Sequence, residues 1–202
     1  MSKIVQKYSL KTSQILDFGG GYGQITLFLK NSGYNSEVFE IYEFYEPFLN
    51  ELGVKYKIVP SGDLPYPPKS IDVFLENCVL QFSKYDPREI LLNAKKVLKD
   101  DGIYIAGMYL NNDYWLYKLK LKGKSPHFGL KRMSYNEIIQ LFKSEGFILI
   151  HKEQFQFFPA NQIKIDFGYR LIWLLDRMLC KIPFINNYTN SYNMIFKLSE
   201  TK

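Results

Sequence analysis

The 202-residue sequence predicts one α/β domain built as a doubly wound, mainly parallel sheet. Three observations predict it. Short apolar runs alternate with segments of helical periodicity, the pattern of parallel strands with helices on both faces. Four glycines within five positions, Gly19 to Gly23, join the first apolar run to the first helical segment. Ligands bind such sheets at the carboxyl ends of strands, near the switch in strand order, and this turn sits at such an end. Finally, 47% hydrophobic and 23% charged residues suffice for an ordinary core and exclude a disordered chain.

The elements follow in order. "QILDF" (14–18) reads as the first strand, and Ile25, Phe28 and Leu29 fall at helical spacing behind it, with Gly33 closing the helix. "EVFEI" (37–41) is a second strand, leading to a helix over 44–52 that stops at Gly53. "YKIVP" (56–60) is a third, broken by Pro60 and Gly62, and "IDVFLE" (71–76) a fourth. The helix beginning at Asp86 has that residue as N-cap and Pro87 in the first turn, and Ile90, Leu91, Ala94, Val97 and Leu98 form its apolar face. "IYIAGMYL" (103–110) is a fifth strand. Ser134 and Glu137 have capping-box spacing at the head of the next helix. "FILIHKEQFQFF" (147–158) and "YNMIFKLS" (192–199) complete seven strands. An apolar segment with a narrow Arg170, Arg177 and Lys181 stripe, 163–185, lies between the last two, and Pro183 ends it.

Totals exclude several classes. The net charge of +6 tilts the chain mildly toward acidic partners. Cys78 and Cys180 are too few and too far apart for a disulfide framework or a zinc cluster. The N-terminus lacks the apolar centre of a signal peptide, and no window approaches the roughly 18 uncharged apolar residues of a membrane span. The expectation is a cytoplasmic protein with no bound metal.

The glycine turn fails both phosphate patterns. A dinucleotide fingerprint starting at Gly19 meets Gln24 at its third position, and one starting at Gly21 meets Thr26. No Gly-Lys-Ser/Thr follows for a P-loop. "ILDFGGGYG" instead resembles the first motif of class I S-adenosylmethionine-dependent methyltransferases of the small-molecule, methyltransferase type 11-like group: an apolar strand, an acid, then G-x-G-x-G. Asp17, Gly19, Gly21 and Gly23 occupy that motif. "GDLPYPPKSIDVFLENCVLQF" (62–82) and "NAKKVLKDDGIYIAG" (93–107) resemble later stretches of the same family. The resemblance implies a Rossmann-like seven-stranded sheet with an antiparallel last strand, and S-adenosyl-L-methionine as cofactor. It also implies that Glu40, 17 residues after Gly23, accepts from both ribose hydroxyls, with Ile41 packed on the adenine. Glu43 is the competing acid. Asp63 and Leu64 match positions at the adenine edge, and Asn77 and Cys78 positions near the methionine part. Asp72 reads as structural, and Phe82 stands where the family often has His.

Methyl transfer needs mainly positioning and a dry site, and a base only where the nucleophile carries a proton of high pKa. "LENCVLQF" is not the Asn-Pro-Pro-Tyr type of tetrapeptide used on amino groups of adenine or glutamine. Two insertions in the single 1–202 domain, 109–133 and 159–190, are the expected covers of the site. The first is the most basic stretch, and offers Tyr109, Tyr114, Trp115 and Lys131 as substrate residues and His127 as candidate base. His151 reads as structural. The acceptor is expected to be an oxygen or nitrogen nucleophile of a small anionic, lipid-linked or sugar-linked metabolite. The alternatives are an RNA methyltransferase, suggested by the charge but lacking an RNA-binding module, and a non-catalytic partner protein of the same fold. The 163–182 segment either caps the site, joins a homodimer or contacts a membrane surface peripherally; monomer and dimer both remain open.

Overall fold

The computed structural model describes residues 2–81, 86–119, 131–158 and 166–199. His127, Phe82 and the segment 159–165 lie outside the described residues. In chain order the elements are α1 (Ser2–Tyr8), β1 (Gln14–Phe18), α2 (Gln24–Asn31), β2 (Asn35–Glu40), α3 (Glu46–Leu52), β3 (Lys55–Ile58), β4 (Ile71–Asn77), α4 (Pro87–Val97), β5 (Leu98–Leu110), α5 (Trp115–Lys118), α6 (Tyr135–Ser144), β6 (Phe147–Phe155), α7 (Asp166–Leu179) and β7 (Ser191–Leu198).

All seven strands join one sheet in the order β3-β2-β1-β4-β5-β7-β6. Strands β1 to β5 pair in parallel, and β7 runs antiparallel to both β5 and β6. The chain winds outward from β1 through β2 to β3, then returns to β4 on the other side of β1, so the switch in strand order lies between β1 and β4. That is the predicted sheet, including its antiparallel last strand.

Alternation along the central strands divides the core. Leu16, Phe74, Tyr104, Ala106 and Phe196 pack with Leu91 and Ala94 of α4 and Phe142 of α6. Their sequence neighbours Ile15, Val73, Leu75, Ile105 and Ile195 pack with Ile4 and Val5 of α1 and Leu29 of α2. Both faces of the sheet are covered, which explains strands that read as almost continuous apolar runs.

The helix signals hold. The Asp86 carboxylate accepts from Arg88 N–H at 2.9 Å, and Ser134 with Glu137 forms both bonds of a capping box. Two elements differ from expectation. Helix α1 has no sequence signal of its own, and its Ile4 and Val5 are held by the sheet face they cover. Strand β5 starts at Leu98 rather than 103, because Leu98 pairs with Ile71 before the register shift that follows. Helix α7 occupies the centre of the predicted 163–185 segment.

Candidate active site

A cleft of about 240 Å³ opens at the carboxyl ends of β1 and β2, beside the switch point. Its walls come from Phe18 and Gly19 after β1, Phe39, Glu40 and Ile41 at the end of β2, and Ser61 to Asp63 after β3. Val79 and the first turns of α4 (Asp86, Glu89, Ile90 and Asn93) close the remaining side.

Of the glycine turn only Gly19 lines the cleft, and its three predicted glycines have three different reasons to be glycine. All sit at positive φ, 66° for Gly19, 53° for Gly21 and 71° for Gly23, where a side chain strains the backbone. A Cβ on Gly23 would stand 2.6 Å from Leu49 Cδ2, so this glycine lets α2 approach α3. A Cβ on Gly19 would stand 2.6 Å from a methyl of Val79, across the cleft wall. At Gly21 the nearest atoms belong to the Tyr45 ring at 3.7 Å, an ordinary contact, so here backbone conformation is the constraint.

Glu40 holds the turn to the end of β2. It is 5% exposed, and its carboxylate accepts from Gly21 N–H at 3.1 Å, Ile41 N–H at 2.8 Å and Tyr42 N–H at 3.3 Å. Asp17 lies under the turn instead of in the cleft wall. Its Oδ2 accepts from the Thr26 hydroxyl at 2.8 Å, and its buried Oδ1 has no hydrogen-bond partner. Burial pushes its carboxyl up to about 6, against the lowering effect of the Thr26 bonds and with a smaller upward push from Glu40.

Of the remaining predicted cofactor residues, Ile41 and Asp63 line the cleft, and the Asp63 carboxylate accepts from the Ser61 hydroxyl at 2.9 Å. Leu64 packs on the core behind it. Asn77 ends β4 with a buried, unpartnered Oδ1. Cys78 has φ 66°, donates its backbone N–H to Gly107 O at 3.0 Å, and turns its thiol to Met108 O at 3.0 Å. Burial and the neighbouring Glu76 push that thiol up to about 12, so it is no nucleophile near neutral pH.

The predicted substrate residues divide. Tyr109 is fully buried, with its hydroxyl bonded to the Glu76 carboxylate, and Tyr114 is buried as well. Neither lines the cleft, because the end of β5 carries them into the interior. Trp115 is half-buried, donating Nε1–H to Phe157 O at 2.7 Å. Lys131 has an exposed side chain, and its N–H donates to Gln81 O at 2.6 Å. Gln81, itself buried, also exchanges two bonds with Leu110, donating to its carbonyl at 2.9 Å and accepting its N–H at 2.7 Å. The roots of the basic 109–133 segment are therefore fastened two residues from Val79, which forms part of the cleft wall.

Sequence reasoning missed Glu76 and the α4 contribution. Glu76 is completely buried in central strand β4 and accepts from Val79 N–H at 2.7 Å. Burial raises its carboxyl to about 8 despite bonds from Tyr109 and the backbone. A signal existed: an acid in the middle strand of a sheet covered on both faces has nowhere exposed to go. Asp86 read only as an N-cap, and Glu89 and Asn93 were not singled out. With Glu40 and Asp63 they surround the cleft with four carboxylates, and no Lys or Arg is among the described residues that line it.

Comparison with known proteins agrees with this geometry. A family model described as a methyltransferase domain matches residues 16–106. An uncharacterized protein of Methanocaldococcus jannaschii is 34% identical over 123 residues, 58% of this chain and 59% of that protein, so the match spans little more than half of either. The fold is similar to a crystal structure of an S-adenosylmethionine-dependent methyltransferase from Methanosarcina mazei, with TM-score 0.70, 16% identity and 98% of both chains covered. It is also similar to geranyl diphosphate C-methyltransferase of Streptomyces coelicolor, solved with Mg2+, geranyl diphosphate and S-adenosylhomocysteine, with TM-score 0.67 and 12% identity over 98% of this chain and 79% of that one.

Proposed function

We propose that this chain, whose residues 16–106 match a methyltransferase-domain model, is a class I S-adenosylmethionine-dependent methyltransferase that moves the methyl group of that cofactor to an oxygen or nitrogen nucleophile of a small metabolite. One observation carries the reading. The cleft at the glycine turn is ringed by Glu40, Asp63, Asp86 and Glu89 and lacks a cationic side chain among its described residues. Such a field favours a cationic, hydroxyl-bearing ligand and repels a phosphate.

The residues present fit the cofactor. Glu40 offers carboxylate oxygens to ribose hydroxyls, Ile41 an apolar wall to the adenine, and Asp63 an acceptor at the adenine edge. The buried, unpartnered Oδ1 of Asn77 at the end of β4 is an acceptor of the kind an ammonium group satisfies, while Asp17 supports the turn from beneath. When bound, the cofactor supplies a methyl carbon on a positively charged sulfur. The chain's own part is to fix that carbon in line with the nucleophile and to keep water away. Gly19, Gly21 and Gly23 hold the turn that sets the depth of the site, and the three backbone bonds of Glu40 lock turn and β2 into one frame.

The acceptor is proposed to be anionic, or linked to a lipid or sugar, and to approach over the roots of the 109–133 segment. Its lysines supply the attraction, and Trp115 and Lys131 stand at its two ends. His127 is the proposed base for an acceptor hydroxyl. Titration calorimetry with S-adenosylhomocysteine tests the first step: one site should be found, and absence of binding would overturn the enzyme reading. Steeply salt-dependent RNA binding by the loaded protein would favour RNA as acceptor over a small metabolite.

A further inference from the structure

We propose that α7, with the groove beside it, seats the protein on the surface of an anionic lipid bilayer. The groove, about 730 Å³, lies between α1, β6 and α7, and none of its lining residues belongs to the cofactor cleft. Lys3 and Lys7 of α1 and Arg177 and Lys181 at the end of α7 line it, all four exposed. Among the described residues none of the four has an acidic side chain within ion-pair distance. The two carboxylates in the groove are engaged, Asp176 by Phe158 N–H at 2.7 Å and Glu153 by the Asn193 amide at 3.5 Å. Lys152 also lines the groove, with its ammonium over the Tyr135 ring, 4.1 Å from its centroid.

The apolar half of the surface is on the same helix. Helix α7 leans on the domain through Ile172, Asp176, Leu179 and Cys180, which are half-buried or buried. The opposite side shows Leu171, Leu174, Leu175 and Met178, at i, i+3, i+4 and i+7 spacing, with exposures of 60%, 51%, 41% and 57%. Trp173, also half exposed, stands under the Arg177 guanidinium, 4.7 Å from the ring centroid, on the groove side of the charged residues. Phe184, 84% exposed, extends the apolar surface past the helix.

An apolar stripe bordered by cations along one side is the arrangement that lies in a membrane interface, leucines toward the acyl chains and basic groups at the phosphates. A second copy of the chain fits less well. A two-fold contact through this stripe would bring Arg177 and Lys181 of one copy toward the same uncompensated charges on the other. Nucleic acid would meet the charge but leave the leucines exposed.

Co-sedimentation of the full chain with extruded vesicles tests the inference. Binding is expected to vesicles containing phosphatidylglycerol, weak binding to pure phosphatidylcholine, and release toward 1 M salt, where screening length falls to ~3 Å. Arg177→Gln with Lys181→Gln should weaken binding by roughly tenfold or more, on the scale of basic residues at a charged surface. Leu174→Ser with Leu175→Ser should abolish it, with S-adenosylhomocysteine affinity unchanged as a check that the domain remains folded. Tryptophan emission should shift to the blue on anionic vesicles, and the shift should vanish in Trp173→Phe. Equal affinity for neutral and anionic vesicles, no partition at all, or a concentration-dependent dimer that shields Trp173 in the absence of lipid would each overturn it.

Discussion

Glu76 and Glu40 are both carboxylates at strand ends, and their surroundings give them opposite tasks. Glu40 has three backbone donors and borders the cleft, whereas Glu76 is enclosed with Tyr109 and the Val79 N–H. Glu40→Ala should weaken S-adenosylhomocysteine binding by roughly 1.5–3 kcal/mol, the scale of hydrogen bonds to a charged group, read by calorimetry. Affinity equal to the parent would transfer the ribose role to Glu43. Glu76, raised to about 8, and Asp17, raised to about 6, both keep a proton longer in the folded chain than in the unfolded one. Between the ordinary carboxylate range and pH 8 the folded state therefore binds more protons, and stability should fall as pH rises through that window. Denaturant unfolding at pH 5 and pH 8 measures the fall, and Glu76→Gln should remove most of it. Asp17 and Glu40 were legible as residues because the motif spacing singles them out. Glu76 was not, since its signal, an acid in a strand covered on both faces, becomes readable only once the strand's central place in the sheet is known.

At the scale of elements, the Gly19 to Gly23 turn combines two functions that substitution can separate. Gly23→Ala strains the left-handed backbone by roughly 1–2 kcal/mol and drives a Cβ into Leu49, so its effect should appear as a lowered melting temperature. Gly21→Ala carries comparable backbone strain, but its Cβ would meet the Tyr45 ring only at an ordinary 3.7 Å, and it should lower cofactor affinity more than Gly23→Ala does per unit of stability lost. Paired thermal melts and calorimetry distinguish the two; identical ratios of affinity loss to stability loss would refute the division. Helix α6 offers a simpler case. Ser134→Ala removes the acceptor of Glu137 N–H and should cost about 1 kcal/mol in denaturant unfolding. Caps such as these were legible because they are local, completed within four residues. Helix α1 was not, because its two apolar residues gain their partners from elements distant in the chain, α2 and the sheet face formed by β1, β4, β5 and β7.

For the whole molecule, one topological fact organises the site. The return from β3 to β4 opens the sheet's carboxyl edge beside β1, and five separate stretches of sequence converge there. Because the ligand would touch several of them at once, binding should couple to global unfolding. S-adenosylhomocysteine at a hundred times its dissociation constant should add about 2.7 kcal/mol to stability, and Glu40→Ala at the same concentration much less. A ligand that binds without raising the melting temperature would contradict this assembly. Charge is divided as well: the cleft is acidic although the chain carries a net charge of +6, and exposed cations gather on the α1–α7 side.

The sequence by itself determined the order of strands and helices, the glycine turn and the spacing from Gly23 to Glu40, because each is written in neighbouring residues and local backbone chemistry. The tertiary structure decided which side chains meet. It drew Tyr109 and Tyr114 inward, raised the proton affinity of Glu76 by burying it, and set Asp86 and Glu89 across from Glu40. It also left the leucines of α7 facing outward. Burial is a property of what packs above a residue, and that partner is commonly tens of residues away in the chain.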